Sequence, residues 1–276
     1  IKKYQNIKKQ FFLSEKKLKA IINVDDFIGR EIIHEGALEN HQFISYAIDR
    51  DADLKVKNIV YKNNKTIFDF LWEKNPYQIK TNIFGKHNIY NLLSVIASLL
   101  NYKFPMGMII EAIENLENIA GRNEVVHHND NGTPQIIIDY AHTPDALEKI
   151  LQSLGETETS EIILIFGCGG NRDKGKRKQM AFIASKYADK VIVTSDNPRD
   201  ENPYDILNTI EKNLSVNNEV IASREDAIKR GLMLIKKKGI LLIAGKGHEN
   251  FQEIKGVKIP FSDKQIALSN IGLINH

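Results

Sequence analysis

The sequence predicts an α/β protein whose second half carries a mainly parallel sheet. From about Glu124 onward, apolar runs of four or five residues alternate with amphipathic segments across short connections. The runs are continuous rather than alternating, as in Ile162–Phe166 and Ile240–Ala244, which is the pattern of strands covered on both faces. The length of 276 residues suits two domains of roughly 100–170 residues each. The rhythm of the sequence changes near residue 122.

The first part reads as a smaller α/β piece. It opens on a charged, helix-compatible stretch, IKKYQNIKKQFFLSEKKLKA. A short strand is expected at 20–24, with further strands near 58–61, 66–71 and 78–84. Ile89, Leu92, Leu93, Ile96, Leu99 and Leu100 recur at helical spacing, so 88–101 is a helix with one buried face. A second helix covers 106–116. In the second part, strand 135–139 leads to helix 144–154, with Thr143 as N-cap and Pro144 at the first helical position. Strand 161–166 leads to helix 175–188, strand 191–194 to helix 203–214, and strand 219–222 to helix 223–236. Strand 240–244 follows. A last helix starts at Ser262, with Gln265 three residues on in a capping-box pattern.

Composition narrows the function classes. Hydrophobic residues make up 42% and charged residues 26%, which leaves disordered and collagenous classes without support. The apolar runs are far shorter than the roughly 20 residues of a spanning helix, so no membrane is expected. Lys and Arg number 38 against 35 Asp and Glu, and the signs are interleaved, so nucleic acid is not implied. A lone cysteine, Cys168, cannot close an internal disulfide or a Cys-rich zinc site, which fits a reducing cytoplasm. The chain opens on Ile1 rather than Met and is expected to be a fragment whose beginning lies upstream.

Ligands of open parallel sheets bind beyond the carboxyl ends of the strands, and four of these ends carry chemistry. After the first strand come Asp139, Tyr140, Ala141 and His142; after the second, GCGGNRDKGKR; after the third, Ser195-Asp196-Asn197-Pro198-Arg199; after the fifth, Gly245-Lys246-Gly247-His248-Glu249. In GCGGNRDKGKR the glycines let backbone N–H groups approach an anion while Arg172 and Lys174 supply charge. Gly170 to Lys176 fits the spacing of a phosphate loop, but Arg177 stands where a Ser or Thr should follow, so that reading is rejected; a glycine-rich turn with solvated charges is the bland alternative. AGKGHE lacks the third glycine of a dinucleotide fingerprint. DNPR alone is most often a turn, yet an arginine grips a carboxylate bidentately and a neighbouring amide adds direction. With Arg172 and Glu249, these residues form a receptor for a zwitterion. His87, Asn88 and Asn91 fall near the first turn of helix 88–101, where capping is an equal alternative. Asp139 and His142 could pass for part of a hydrolytic triad, but the chain has no G-x-S-x-G elbow and Cys168 has no evident partner.

Taken in order, GKHNIYNLL, GRNEVV, DYAHTPDALEKIL, FGCGGNRDKGKR, VTSDNPRDENP and AGKGHENFQ resemble the motifs of the Mur ligases, most of all those that add diaminopimelate as the third residue of the peptidoglycan stem peptide. The resemblance spans nearly the whole chain. It implies that 1–121 is the back part of the central, P-loop-type ATPase domain and 122–276 the Rossmann-like C-terminal domain that binds the incoming amino acid. The family's P-loop, its carbamylated lysine and its UDP-sugar site would lie upstream.

The resemblance further implies an ATP-dependent, ADP-forming amide ligase that works through an acyl phosphate, with Mg²⁺ as companion ion. The implied substrates are UDP-MurNAc-L-Ala-D-Glu and meso-diaminopimelate. It places the amino-acid site on Arg172, Asp196, Asn197, Pro198, Arg199, Gly245 and Glu249. Adenine, ribose or phosphate contacts fall on Asn88, Asn91, Arg122 and Asp139, and Lys174 and His142 carry the catalytic assignment; no metal ligand is assigned. Lysine-adding relatives typically have Ala where Arg199 stands, so Arg199 favours a substrate with two carboxylates. A cytoplasmic monomer is expected. The alternatives are a lysine-adding or polyglutamate-adding ligase, and, for the isolated fragment, a non-catalytic amino-acid-binding module.

Overall fold

The computed structural model describes residues 2–14, 19–38, 41–62, 65–116, 119–127, 134–157, 159 and 161–274. They fall into two units, Ile1–Glu117 and Asn118–His276, and each has an apolar core of its own. Of the N-terminal charged stretch, residues 1 and 15–18 lie outside the described residues; most of the rest forms helix α1 (Lys2–Ser14).

In the first unit, β1 (Lys19–Asn23), α2 (Phe27–Leu38), β2 (Gln42–Ala47), β3 (Leu54–Lys62), β4 (Lys65–Trp72) and β5 (Asn75–Thr81) precede α3 (Lys86–Asn101) and α4 (Met106–Glu114). The sheet runs β1-β2-β3-β4-β5, parallel as far as β3 and antiparallel beyond it. The periodic face of α3 is buried as expected, with Ile89, Leu93, Ile96 and Ala97 fully enclosed beside Phe68 and Phe70 of β4. Two elements of this unit, α2 and β2, were not anticipated. Helix α2 holds Gly29 and Gly36, which lower helix propensity. A Cβ at Gly29 would lie 1.9 Å from the Asn23 carbonyl oxygen, so glycine there lets the helix lie close on β1. The last strand also shifts: β5 spans Asn75–Thr81 rather than 78–84, because Glu73 and Lys74 both take positive φ (50° and 67°) and close a tight hairpin without glycine. Pro76 is tolerated because β5 is an edge strand.

The second unit alternates as the sequence predicts: β6 (Glu124–His127), β7 (Gln135–Asp139), α5 (Pro144–Gly155), β8 (Ile162–Phe166), α6 (Gly175–Tyr187), β9 (Lys190–Val193), α7 (Pro203–Glu211), β10 (Asn218–Val220), α8 (Arg224–Leu234) and β11 (Ile240–Ala244). A hairpin of β12 (Phe251–Ile254) and β13 (Val257–Pro260) follows, then α9 (Asp263–Ser269). The six-stranded sheet has the order β10-β9-β8-β11-β7-β6, all parallel except the edge strand β6. Ile136, Ile138, Ile163, Ile165, Leu241 and Ile243 pack against Ala227, Ile228 and Leu232 of α8 and Ala267 of α9. The intervening Ile137, Leu164 and Leu242 are equally buried on the opposite face, because successive strand residues point to opposite sides.

Local chemistry sets the helix starts. Thr143 accepts the Ala146 N–H, Asn202 the Tyr204 N–H, Ser223 the Asp226 N–H and Ser262 the Gln265 N–H. Arg224, the first residue of α8, has no exposed side-chain area. It pairs through Nε and Nη2 with both Asp263 oxygens at 2.8 Å and donates to the Ala244 carbonyl at 3.0 Å. One buried ion pair thus ties α8, α9 and the end of β11 together. Removing either partner would strand the other charge in the interior.

Candidate functional site

The four strands whose ends carry chemistry, β9, β8, β11 and β7, are consecutive neighbours in the sheet and parallel, so their carboxyl ends form one edge. The loops there are bound to each other. Gly170 N–H donates to the Asn197 carbonyl at 2.9 Å, and Gly245 N–H to the Asp139 carbonyl at 3.0 Å. A Cβ at Gly170 would fall 1.9 Å from the Pro198 oxygen, so only glycine allows the loop after β8 to lie against the DNPR segment. At Gly245, φ is 117° and a Cβ would meet Asp196 Oδ2 at 2.8 Å, so both conformation and space call for glycine.

Asn197 bonds directly to Glu249, and Arg199 is joined to the same group through Glu253. Asn197 is 5% exposed, and its Nδ2 donates to Glu249 Oε2 at 3.0 Å. The Asn197 Oδ1 accepts from Lys246 Nζ at 3.0 Å and from the Glu253 N–H at 2.9 Å, which fixes the sense of the amide. Lys246 also reaches Glu249 Oε2 at 3.2 Å, and it has no exposed area. A buried ammonium is tolerated only when paired, and here it balances the carboxylate while leaving Glu249 23% exposed. Arg199 takes φ 51°, a left-handed conformation unusual for a side chain of its size. Its guanidinium donates to Glu253 Oε2 at 3.1 Å and to the Gly170 carbonyl at 2.9 Å.

The other candidates are placed around this group. Asp196 is buried, and its carbonyl accepts from Gln252 Nε2 at 2.6 Å. Pro198 is buried behind the glycine loop, whereas Arg172 is exposed on it. Lys174 is 75% exposed and lies 3.8 Å from Glu201. Glu201 anchors the whole loop: it accepts the Asn171 N–H at 2.7 Å and takes both its oxygens to Arg177 Nη2 at 3.0 Å. Its carboxyl is held below the usual range by those partners, against an opposing effect of burial that is the largest single contribution.

At the end of β7, Asp139 is buried and accepts the Ala141 N–H through Oδ1 and the Asn123 N–H through Oδ2, each at 2.7 Å. Burial pushes its carboxyl up, while the backbone N–H groups and Arg122 pull the other way. Arg122 lies 4.6 Å over the Tyr140 ring, with His142 edge-on at 4.6 Å and His248 at 5.7 Å. His142 is exposed; its carbonyl accepts Lys176 Nζ at 3.1 Å and its Nδ1 lies 2.9 Å from the Tyr140 carbonyl. In the first unit, Asn88 is buried and its Nδ2 reaches back to the Phe84 carbonyl at 2.8 Å, while Asn91 donates to Asn88 Oδ1 at 3.2 Å. The cap of α3 is Gly85, with no side-chain cap, so neither asparagine is spent on N-capping.

Sequence reasoning passed over Lys246, Glu253, Glu201 and the Tyr140–His248 contact. Lys246 stands inside AGKGHE, where nothing in its spacing signals complete burial.

Residues 121–247 match the family described as Mur ligase, glutamate ligase domain, and residues 1–99 match the Mur ligase middle domain. A relative from Clostridium acetobutylicum, UDP-N-acetylmuramoyl-L-alanyl-D-glutamate–2,6-diaminopimelate ligase 1, is 38% identical over 94% of this chain and 53% of its own length. The ligase of the same name from Aquifex aeolicus is 40% identical over 96% of this chain and 53% of its own. The chain therefore spans about half the length of the curated relatives it matches. A solved structure of a ligase with that name superposes with a TM-score of 0.68 at 30% identity, covering 98% of this chain and 56% of its own. MurF ligase from Thermotoga maritima, solved with ADP, shares the fold at a TM-score of 0.65 and 15% identity, over 93% of this chain and 53% of its own. The second unit is Rossmann-like, as its sheet order and covering helices imply. The chain belongs to the Mur ligase family, matching first its middle domain and then its glutamate ligase domain.

Proposed function

We propose that this chain is the amino-acid-binding portion, with part of the ATPase portion, of an ATP-dependent ligase that adds meso-diaminopimelate to UDP-MurNAc-L-Ala-D-Glu. The observation that carries the reading is the Asn197–Arg199–Glu249 group at the strand ends, in a chain whose relatives at 38–40% identity bear the name of that ligase. Residues 1–121 are assigned to the central domain and 122–276 to the C-terminal domain.

The site suits one end of a diaminoacid. Glu249 uses Oε2 toward Asn197 and Lys246, which leaves Oε1 to accept an ammonium. Arg199 spends two of its five N–H groups on the protein, so three remain for a carboxylate. Asn197, whose oxygen is doubly occupied, offers its second Nδ2 hydrogen to the same carboxylate. Asp196, Pro198 and Gly245 shape the backbone around this group, and exposed Arg172 adds positive charge.

In the proposed reaction the γ-phosphoryl group of ATP passes to the substrate carboxylate, breaking its bond to ADP and forming an acyl phosphate. The free amine of diaminopimelate then attacks the carbonyl carbon; phosphate leaves and the amine nitrogen gives up a proton. Phosphorylation is needed because a bare carboxylate repels the amine and has no leaving group. The role of this chain is to position the reactants and stabilise their charge. Asn88, Asn91, Arg122 and Asp139 are assigned to the nucleotide that such a ligase uses. Lys174 and His142, exposed after β8 and β7, are assigned to the transferred phosphate. Among the described residues no cluster of three His, Cys, Asp or Glu side chains could hold a metal ion. Mg²⁺ is proposed as the ion that accompanies the ATP phosphates, and no step is derived through it.

No helix among the described residues is long and apolar enough to cross a membrane; a cytoplasmic, monomeric protein is proposed. Calorimetric titration with meso-diaminopimelate, with L-lysine as control, tests the substrate assignment. Saturable binding of diaminopimelate alone is expected, weakened at least about tenfold in Arg199→Ala, the scale of one charge-assisted hydrogen bond. Binding unaltered by that substitution would overturn the assignment.

A further inference from the structure

Glu253 lies outside every motif that points to the ligand, yet it touches both recognition side chains. Its N–H donates to Asn197 Oδ1 at 2.9 Å. Its carbonyl accepts the Arg199 N–H at 3.1 Å, and its carboxylate accepts Arg199 Nε at 3.1 Å. The Arg199 carbonyl in turn accepts the Lys255 N–H at 2.8 Å, a bridge that joins the DNPR segment to the hairpin strand β12. Arg199 is thus mounted on the hairpin by its backbone, in a left-handed conformation that a free chain would avoid. Of the bonds that fix its guanidinium, one goes to a backbone carbonyl at Gly170 and one to a side chain, that of Glu253.

We propose that Glu253 is a specificity-determining positioning residue, whose carboxylate sets the orientation in which Arg199 meets a ligand carboxylate. The inference rests on the amino-acid site proposed above. An arginine side chain has several rotatable bonds, and each loses entropy when a ligand orders it. Anchoring Nε and one Nη1 hydrogen in advance leaves the ligand to meet a plane already fixed, which lowers the cost of binding. The anchor needs an acceptor at that point, whereas the negative charge of Glu253 works against an incoming anion. The hydrogen-bond acceptor is therefore the useful part of Glu253 and its charge is not. The two backbone contacts need only the N–H and carbonyl at 253, which Ala and Gln both keep, so these variants isolate the side chain.

Glu253 is partly exposed, with 26% of its side chain accessible, so Ala and Gln variants are expected to fold. In calorimetric titrations Glu253→Ala should weaken meso-diaminopimelate binding about tenfold, while Glu253→Gln, which keeps an acceptor, should stay within about twofold of the unsubstituted chain or bind more tightly. L-lysine, which lacks the second carboxylate, should give no saturable binding with either variant, as with the unsubstituted chain. Equal weakening in the Gln and Ala variants would overturn the proposal, as would an Ala variant that binds diaminopimelate normally. If the unsubstituted chain gave no heat with diaminopimelate, the substrate reading would fall, and the hold on Arg199 would be decided without ligand. The Nε–H resonance of Arg199, assigned by its loss in Arg199→Lys, should exchange slowly in the unsubstituted chain and in Glu253→Gln and broaden away in Glu253→Ala. A resonance equally protected in the Ala variant would refute the positioning role.

Discussion

Cys168 stands two residues beyond β8, inside the glycine-rich loop that the site is built on. A cysteine at such a place invites a nucleophilic reading, and its surroundings exclude one. Its side chain is buried, with Met180 Sδ 3.7 Å from its sulfur, and burial pushes the thiol up to about 12. In the folded chain the thiol is expected to ignore Ellman's reagent at pH 8 and to react stoichiometrically once denatured; rapid labelling of the native chain would contradict the burial. The same distinction governs which site residues could be read in advance. Asn197, Arg199 and Glu249 were legible because their chemistry is unusual for a loop and each follows a buried strand. Lys246 and Glu253 were not, because their roles depend on which atoms they meet after β11 and the β12–β13 hairpin bring distant segments together. Arg172 shows the converse: its chemistry fits the receptor, while the structure leaves it exposed on the loop.

Glu219, on the edge strand β10, shows what one residue does for the joining of elements. It accepts Lys190 Nζ of β9 at 2.6 Å and the Arg230 guanidinium of α8 at 2.8 and 3.0 Å. The Arg230 hydrogen bonds, with a smaller contribution from Lys190 and against the effect of burial, hold its carboxyl down to about 2. A carboxyl group depressed by folding stabilises the protein above its unfolded value, near 4.3, and that contribution is lost as pH falls toward 2. With 28% of its side chain exposed, the group is screened and contributes about 1 kcal/mol. Glu219→Gln should therefore lower the melting temperature at pH 7, with the gap to the unsubstituted chain closing between pH 4 and pH 2; a gap independent of pH would sink the assignment. Elements of this second unit were readable because continuous apolar strands and side-chain caps such as Thr143 and Ser262 leave local marks. The edge strand β6 and the exposed hairpin were not anticipated: EVVH is short and pairs antiparallel with β7 through a register shift, and the hairpin strands bury little. In the first unit, β2 and the glycine-bearing α2 are set by close packing against β1, which a propensity reading does not see.

Each of the two units encloses its own core, and no residue belongs to both clusters. One gathers Phe68, Phe70, Ile89 and Leu93; the other gathers Ile138, Ile165, Leu241 and Ile243. Cores that share no side chains can lose order separately, so a single two-state unfolding free energy is not expected to describe the chain. Phe68→Ala removes a fully buried ring from the first and should cost about 3–5 kcal/mol. Leu242→Ala empties a fully buried position in the central strand β11 of the second and should cost about 2–5 kcal/mol. Differential scanning calorimetry should show two transitions, each lowered by one of these substitutions and little moved by the other. A ligand stabilises only the part that binds it, by an amount that grows with the logarithm of its concentration over Kd. Saturating meso-diaminopimelate should then raise the transition that Leu242→Ala lowers and leave the other in place, since Asn197, Arg199 and Glu249 all belong to Asn118–His276. One transition moved by both substitutions would mean that the units unfold together. A ligand shift confined to the transition that Phe68→Ala lowers would place the amino acid in the first unit, contrary to the site described.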